Sequence, residues 1–309
     1  MGAGAQDSPD QRPGRLGVGV VGAGRVGAVL GSALRGAGHA VIGVSAVSAA
    51  SRERAEVLLP GVPVLGVPEV VERAELVLLT VPDDALPDLV AGIAATGGWQ
   101  PGQLVVHCSG RFGWRVLQPA VDGGAIPLAL HPAMTFTGTS VDLERLAGTV
   151  FGLTAAPAER EVVEGLVADL GGTPMWVPEE MRTLYHAGLA HGANHLVTLV
   201  TEAMEILSAA GAADPAGTLR PLLTAALDNA LAHGDAALTG PIVRGDLGTV
   251  EAHLRDIEAN APQTLASYVA LARATLGRAV TDGRLVPLRA QRIREALDAA
   301  ETRARVRVR

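Results

Sequence analysis

Short, continuously apolar runs recur through the first half of the chain and constrain its fold more than any other feature. Examples are Leu16–Val21, Leu76–Val81 and Leu104–His107, and stretches with helical periodicity separate such runs. Runs that are apolar at every position are typical of parallel strands covered by helices on both faces. Further runs of this kind are Ala40–Ala46, Ile126–His131, Val150–Thr154 and Met175–Val177. The sequence therefore predicts an α/β domain with a mostly parallel, doubly wound sheet.

The strand signal disappears after Pro178. A long helical pattern covers Glu179–Ala210, and Asp214 then precedes Pro215 as an N-cap precedes a proline at the first helical position. We predict a loop over Asp235–Gly245 and further helices interrupted near Pro262 and Asp282. The predicted organisation is a disordered lead-in at 1–14, a dinucleotide-binding domain at 15–178, an all-helical substrate and dimerisation domain at 179–302, and a frayed basic tail at 303–309.

Composition excludes several classes of function. The formal net charge of −7 provides no global basic field for nucleic acid. All 25 basic residues are arginine, so lysine Schiff bases and lysine general acids are excluded. A single cysteine, Cys108, allows no internal disulfide, which favours the reducing cytoplasm. No apolar run reaches the roughly 18 residues of a membrane span.

A Gly-x-Gly-x-x-Gly motif joins the first predicted strand to the first helix. It consists of Gly22, Ala23, Gly24, Arg25, Val26 and Gly27. The first glycine allows a tight turn, the second lets the backbone approach a pyrophosphate, and the third lets helix and strand pack closely. The pyrophosphate is then expected on amide groups at the helix N-terminus. This context predicts a dinucleotide cofactor.

The end of the second strand indicates which dinucleotide binds. Enzymes specific for NAD usually place a carboxylate there, on the ribose 2′-hydroxyl. This chain has Ser45, Ser48, Arg52 and Arg54 instead. Arginine suits a 2′-phosphate, so we predict NADP(H) with Ser45, Ser48 and Arg52 in contact. The alternative is that the arginines are only the solvated face of a helix.

Other strand ends should face the same crevice. We expect Val81, Pro82 and Ser109 along the cofactor and His131 in the substrate cleft, because ligands bind at the carboxyl ends of such strands. Cys108 is interpreted as a buried thiol, since its neighbour His107 points to the opposite face.

Hydride transfer also requires a proton donor. On the long predicted helix, His186 is the candidate acid and Asn194 the candidate for orienting a carbonyl; the alternative for His186 is a structural histidine. Arg244 is the candidate for binding a substrate carboxylate, beside Thr239, Gly240 and Asp246, although a structural cap would explain that stretch equally well. No metal site is predicted.

With these residues identified, the chain resembles Rossmann-like proteins whose C-terminal helical region is called domain of unknown function 2520. The matching stretches include Val81-Pro82-Asp83, His131–Phe136, Tyr185-His186-Ala187 and Thr239-Gly240-Pro241. The resemblance implies kinship with 6-phosphogluconate dehydrogenase, pyrroline-5-carboxylate reductase and ketopantoate reductase, in which substrate binds between the two domains. Many of these enzymes use a lysine and an asparagine on the first long helix, and this chain has no lysine.

The expected function is therefore NADPH-dependent reduction of a small 2-oxo acid, with ketopantoate as the first candidate, in a cleft between the domains. The alternatives are an imine reductase of the pyrroline-carboxylate type and a non-catalytic NADP(H)-binding sensor. A homodimer is expected by analogy, and no nucleic-acid or membrane partner.

Overall fold

The computed structural model describes residues 15–307, and the predicted lead-in at 1–14 lies outside them. The chain divides into two compact units, one up to Ala190 and one from His191 onward. The strands are β1 (Gly17–Val21), β2 (Ala40–Ser45), β3 (Leu76–Leu79), β4 (Leu104–His107), β5 (Ile126–Pro132), β6 (Val150–Thr154) and β7 (Thr173–Trp176). The helices of the first unit are α1 (Arg25–Gly36), α2 (Ala49–Leu58), α3 (Val67–Arg73), α4 (Leu86–Ala95), α5 (Gln118–Asp122), α6 (Val141–Leu146) and α7 (Arg160–Asp169).

The strands form one sheet in the order β2-β1-β3-β4-β5-β6-β7. All pairs are parallel except β5 and β6, which confirms a mostly parallel sheet. Alternate residues of each strand enter different apolar clusters. Val20 and Leu78 join one cluster, whereas Val21 and Leu79 join another. Burial of both faces is the physical reason that the strand sequences are apolar throughout.

The switch in strand order lies between β1 and β3, because the chain leaves β1 for β2 and then returns to the other side of β1. Val21, Leu79, His107 and Ala129 occupy neighbouring register positions on β1, β3, β4 and β5. The loops that follow these strands therefore leave the sheet at a common carboxyl edge. That edge is where doubly wound sheets bind ligands.

The long helix α8 (Arg182–Ala209) begins in the first unit and continues into the second. The sequence places a boundary at residue 178, whereas the division falls after Ala190. The reason is that the first turns of α8 are fixed to the sheet domain by buried Arg182 and half-buried Tyr185.

The second unit is helical, as predicted. Its further helices are α9 (Pro215–His233), α10 (Pro241–Arg244), α11 (Leu247–Asn260), α12 (Leu265–Thr281) and α13 (Pro287–Arg307). Asp214 caps α9 by accepting a hydrogen bond from Gly217 N at 2.9 Å. The core contains Val250, Leu254 and Ile293, with further aliphatic residues of α12 and α13.

Two expectations about the second unit are corrected. Asp235–Gly245 is not simply a loop, because Pro241 begins the short helix α10 and Gly245 ends it in a left-handed conformation with φ of 75°. The basic tail is helical as far as Arg307, and an ion pair of 3.2 Å joins Arg303 to Glu258. Residues 308 and 309 lie outside the described part.

Candidate functional site

The glycine motif forms a tight turn between β1 and α1. Gly22 has φ of 96°, which a residue with a Cβ rarely adopts. Its N–H donates to Ser45 Oγ at 3.0 Å, and its carbonyl accepts from Thr80 Oγ1 at 2.6 Å. Hydrogen bonds thus hold the turn to β2 on one side and to the end of β3 on the other.

The other two glycines have different roles. A Cβ on Gly27 would lie 2.2 Å from Thr80 Oγ1 and 2.3 Å from Gly22 O, so this position requires the absence of a side chain for packing. A Cβ on Gly24 would come no closer than 3.9 Å to another atom. The protein therefore leaves space at Gly24, where a pyrophosphate would approach the N-terminus of α1.

The serines at the end of β2 and just after it have two different roles. Ser45 is buried and bonds the turn from inside, which corrects its prediction as a cofactor contact. Ser48 is exposed and is the N-cap of α2, accepting from Ser51 N at 3.1 Å. Arg52 is exposed, with Nε donating to Ala46 O at 3.3 Å. Ser48 and Arg52 are therefore available at the surface beside the turn.

Two further arginines, Arg25 and Arg54, lie near the glycine turn and the start of α2. A Cβ on Gly138 would be 2.6 Å from Arg54 Nε and 3.0 Å from Arg25 Cγ, so the backbone of the loop after β5 brings these side chains together. Within residues 15–307, neither Arg25 nor Arg54 forms an ion pair with a carboxylate, and neither does Arg52. This edge carries positive charge that the described protein does not neutralise.

The loops after β3 and β4 are held by their own side chains. Val81 lies beside the turn, with Cγ1 3.3 Å from the position of a Cβ on Gly22, and Pro82 is exposed. Ser109 Oγ accepts from Arg111 N and Phe112 N, both at 3.2 Å. Ser109 is buried, and its position along the cofactor stays a prediction.

His107 and Cys108 are not reactive groups. His107 is buried, and its Nδ1 accepts from Ser109 N at 3.2 Å while its Nε2 donates to Gly113 O at 2.8 Å. Burial lowers the pKa of His107 to about 4, so this imidazole is neutral. Burial raises the pKa of the Cys108 thiol to about 12, which removes the thiolate needed for nucleophilic chemistry.

Gly110, His131 and His186 meet at the carboxyl edge of the sheet. A Cβ on Gly110 would lie 2.8 Å from His186 Cδ2 and 3.0 Å from His131 Nε2. The two imidazole rings are 5.8 Å apart between centroids, in an edge-on arrangement. The predicted cleft residue and the predicted acid are thus neighbours, and the absence of a side chain at Gly110 makes room for both.

Tyr185 is a third member of this cluster that the sequence did not single out as a site residue. Its hydroxyl lies 2.9 Å from His131 Nδ1. A Cβ on Gly152 of β6 would be 2.5 Å from the same oxygen. Burial raises the pKa of Tyr185, and Arg182 and a hydrogen bond from the Gly152 backbone oppose this rise. Burial lowers the pKa of His131 to about 3, with the charges of Arg182 and His186 adding to the effect.

Arg182 is a buried cation that sequence reasoning missed. Its guanidinium donates to Phe112 O at 2.8 Å, Gly152 O at 3.0 Å and Ser109 O at 2.5 Å. It lies 5.5 Å from the centre of the Tyr185 ring. Arg182 thereby joins the loop after β4 to β6 and sets the start of α8 against the sheet.

The remaining predicted residues lie in the second unit. Asn194 is exposed on α8, and His191 and His195 face each other with Nδ1 atoms 2.9 Å apart. Arg244 ends α10 and is paired through Nε with Asp246 at 2.9 Å, so a substrate carboxylate would compete with this exposed ion pair.

Thr239 lines a cavity of about 420 Å³ in the second unit, together with side chains of α8 and α12. Gly240 follows with φ of 98° and precedes α10.

Within residues 15–307, no helix is both long enough and apolar enough to cross a bilayer.

Comparison with family models accounts for both parts of the chain. Residues 2–132 match the Rossmann-like domain, and residues 149–275 match a domain of unknown function, DUF2520. The chain carries a Rossmann-like domain followed by a DUF2520 domain. The Rossmann-like stretch supplies the glycine turn, Gly110 and His131, whereas the DUF2520 stretch supplies Arg182, Tyr185 and His186. No curated protein matches the sequence significantly.

Several solved structures share the fold over nearly their whole length. A Bacteroides fragilis protein provisionally described as an NADP oxidoreductase has a TM-score of 0.72 at 22% identity, over 85% of this chain and 98% of its own. The imine reductase from Myxococcus stipitatus in complex with NADP+ has a TM-score of 0.63 at 16% identity, over 87% and 95%. The reductive aminase from Aspergillus terreus in complex with NADPH and ethyl levulinate has 0.63 at 18%, over 87% and 95%. At these identities the likeness shows the fold.

Proposed function

We propose that this chain is an oxidoreductase that uses NADP(H) to reduce a C=O or C=N bond of a small molecule. The observation that carries the proposal is the common edge of the sheet. The glycine turn with its space at Gly24 follows β1, and His131 lies near the end of β5 at the same edge, where Tyr185 and His186 of α8 lie close to it. A dinucleotide turn beside protic side chains is what hydride transfer with protonation requires.

The residues present fit a phosphorylated dinucleotide. Amides at the start of α1 would hold the pyrophosphate. Ser48 and Arg52, with Arg25 and Arg54, would hold the 2′-phosphate through charge-assisted bonds. This proposal is supported because these arginines form no ion pair with a described carboxylate. Their positive charges are therefore available to bind an anion. When bound, the nicotinamide would supply hydride.

The proposed substrate is a small 2-oxo acid, with ketopantoate as the first compound to test. Arg244 would bind its carboxylate and Asn194 its carbonyl. Cyclic imines form the second class, since two structures that share this fold are an imine reductase and a reductive aminase. A sensor that binds NADPH without turnover is the alternative of another kind. The single thiol suits the cytoplasm.

The first experiment measures NADPH oxidation against a panel of 2-oxo acids and cyclic imines, together with NADPH binding by calorimetry. Gly24→Ala tests the cofactor site, because the added methyl has room in the protein but occupies the pyrophosphate approach. We expect binding to weaken at least tenfold with unfolding unchanged. Gly92→Ala, at a helical glycine with nothing within 4 Å, is the control. Equal affinity for wild type and Gly24→Ala would reject the site, and binding without turnover would favour the sensor.

Cofactor preference is tested with Arg54→Ala. We expect affinity for NADPH to fall about tenfold to a hundredfold, the range for one hydrogen bond to a charged group, and affinity for NADH to stay the same. Arg255→Ala, at an exposed arginine of α11, is the matched control. Equal losses for both dinucleotides would mean that Arg54 does not recognise the 2′-phosphate.

The partner proposed for the second unit is a second copy of the chain. Helix α9 has 19 residues, and Leu219 is its one buried residue. Leu222 and Leu231 on the same helix are 64% and 80% exposed, and Val197 on α8 is 67% exposed. Leucine side chains exposed to water along a helix are unfavourable in free energy, and association with another chain would bury them. A homodimer through α8 and α9 follows.

A further inference from the structure

We propose that His131 and Tyr185 form a two-step proton relay. His131 Nε2 gives its proton to the substrate, Tyr185 replaces it at Nδ1, and the buried guanidinium of Arg182 stabilises the resulting phenolate. The inference rests on the reductase activity proposed above and assigns its proton donor. His186, the acid that the sequence favours, then borders the relay without supplying the proton.

The relay requires that the Tyr185 hydroxyl donate its proton to His131 Nδ1, 2.9 Å away. A neutral imidazole that accepts at Nδ1 carries its hydrogen on Nε2. That nitrogen is the His131 atom nearest to Gly110, 3.0 Å from the position that a Cβ on Gly110 would take.

His131 needs a second group to supply its proton. Burial lowers its pKa to about 3, with Arg182, His186 and His107 all acting in the same direction, so an imidazolium is not available at neutral pH. A neutral imidazole can still pass a proton on if a neighbour refills it at the same time. Tyr185 is the group that hydrogen-bonds to its other nitrogen.

The charge of Arg182 supports the phenolate. The side chain is 1% exposed, yet it is bonded only to the carbonyls of Ser109, Phe112 and Gly152 and to no described carboxylate. Glu179, the nearby acid, is occupied by the amides of Trp114 and Arg115. A buried cation without a counter-ion is costly. The guanidinium carbon lies 5.5 Å from the centre of the Tyr185 ring, and a positive charge at this position would stabilise a negative charge on Tyr185.

The step balances in atoms and charge. A bound nicotinamide would supply hydride to the substrate carbon, and the C=O electron pair would move to the substrate oxygen. That oxygen takes the proton from His131 Nε2, while Nδ1 takes the proton of Tyr185. His131 ends neutral with its hydrogen on Nδ1, and Tyr185 ends as phenolate. After product leaves, a proton from solvent enters at His131 Nε2 while Nδ1 returns its proton to Tyr185, which restores both groups.

The kinetic test is Tyr185→Phe, which keeps the ring and removes the proton. We expect kcat to fall by about 10²–10⁴-fold, the contribution of a positioned acid, with KM for NADPH unchanged. The matched control is Tyr268→Phe, because Tyr268 forms a similar bond of 3.0 Å to His253 in the second unit. Among variants shown to be folded, Arg182→Lys, which keeps a positive charge, should retain a higher kcat than Arg182→Met. Full kcat in Tyr185→Phe would overturn the relay.

A measurement on the free protein separates this inference from the proposed function. Nitrogen NMR of the His131 ring should show hydrogen on Nε2 and an acceptor at Nδ1, with the Nδ1 signal shifted in Tyr185→Phe. Hydrogen on Nδ1 would overturn the relay even if the enzyme turns over. Absence of turnover with every substrate, together with the expected tautomer, would overturn the reductase and the relay that rests on it.

Discussion

Gly110 illustrates how a single missing side chain shapes this site. Both imidazole rings approach the position of its absent Cβ to within about 3 Å. Any larger residue would push His131 or His186 away from the position it holds. The glycine is therefore required by its neighbours, whereas Gly24 is required by the ligand we propose.

Gly110→Ala should displace these rings. We expect kcat to fall more than tenfold while NADPH affinity changes little, because the glycine turn is on another loop. Activity and calorimetric binding, with Gly92→Ala as control, provide the measurement. An active Gly110→Ala variant would show that the two histidines need not be so close.

How much of the site the sequence could predict depends on the separation of its residues. The glycine turn was predictable, because one local motif specifies strand, turn and helix together. The bond between His131 and Tyr185 was not, since it joins positions 54 apart. Arg182 carried no signal of burial, because it is one of 25 arginines and burial of arginine is rare.

At the level of elements, the start of α8 behaves as part of the sheet domain. Arg182 donates to carbonyls of the loop after β4 and of β6. Strand positions were predicted to within a few residues, since each strand is apolar throughout. The antiparallel direction of β6 was not predicted, because a strand that is buried on both faces has the same apolar pattern in either direction.

Arg182→Met should destabilise the first unit strongly. Three buried carbonyls would lose their donor, and unsatisfied buried groups cost about 1–3 kcal/mol each, so we expect a loss of roughly 3 kcal/mol or more. Chemical denaturation followed by tryptophan fluorescence would measure this, with exposed Arg255→Met as control. A loss below about 1 kcal/mol would show that water replaces the guanidinium.

For the whole molecule, buried neutral histidines make stability depend on pH. His107 has its pKa lowered by burial from 6.5 to about 4. Between these values the unfolded chain binds a proton that the folded chain does not, so stability falls as the pH falls. One such histidine corresponds to about 3 kcal/mol, at 1.36 kcal/mol per pKa unit.

His107→Gln, which keeps a donor for Gly113 O, should therefore reduce the loss of stability between pH 7 and pH 4. Denaturation at a series of pH values would measure it, with exposed His191→Gln as the control. An unchanged pH dependence in His107→Gln would mean that other groups dominate acid unfolding.

Association is also a property of the whole molecule. We expect sedimentation to give a dimer for the wild type and a monomer for Leu231→Glu. Leu288→Glu alters a residue of α13 that is 77% exposed and should leave the dimer intact. A wild-type monomer would contradict the proposed pairing of α8 and α9.

The anchoring of α8 by Arg182 has a consequence for recombination. A chimaera that exchanges Rossmann-like domains at residue 178, where the strands end, would separate the arginine from the carbonyls that it satisfies. The Rossmann-like domain would then have backbone carbonyls without a hydrogen-bond donor at its carboxyl edge. The helical domain would keep the Arg182 cation without the carbonyls that bind it. Exchange of this domain therefore requires the segment up to about Ala190. The unit that must be transferred is the sheet domain together with the first turns of α8.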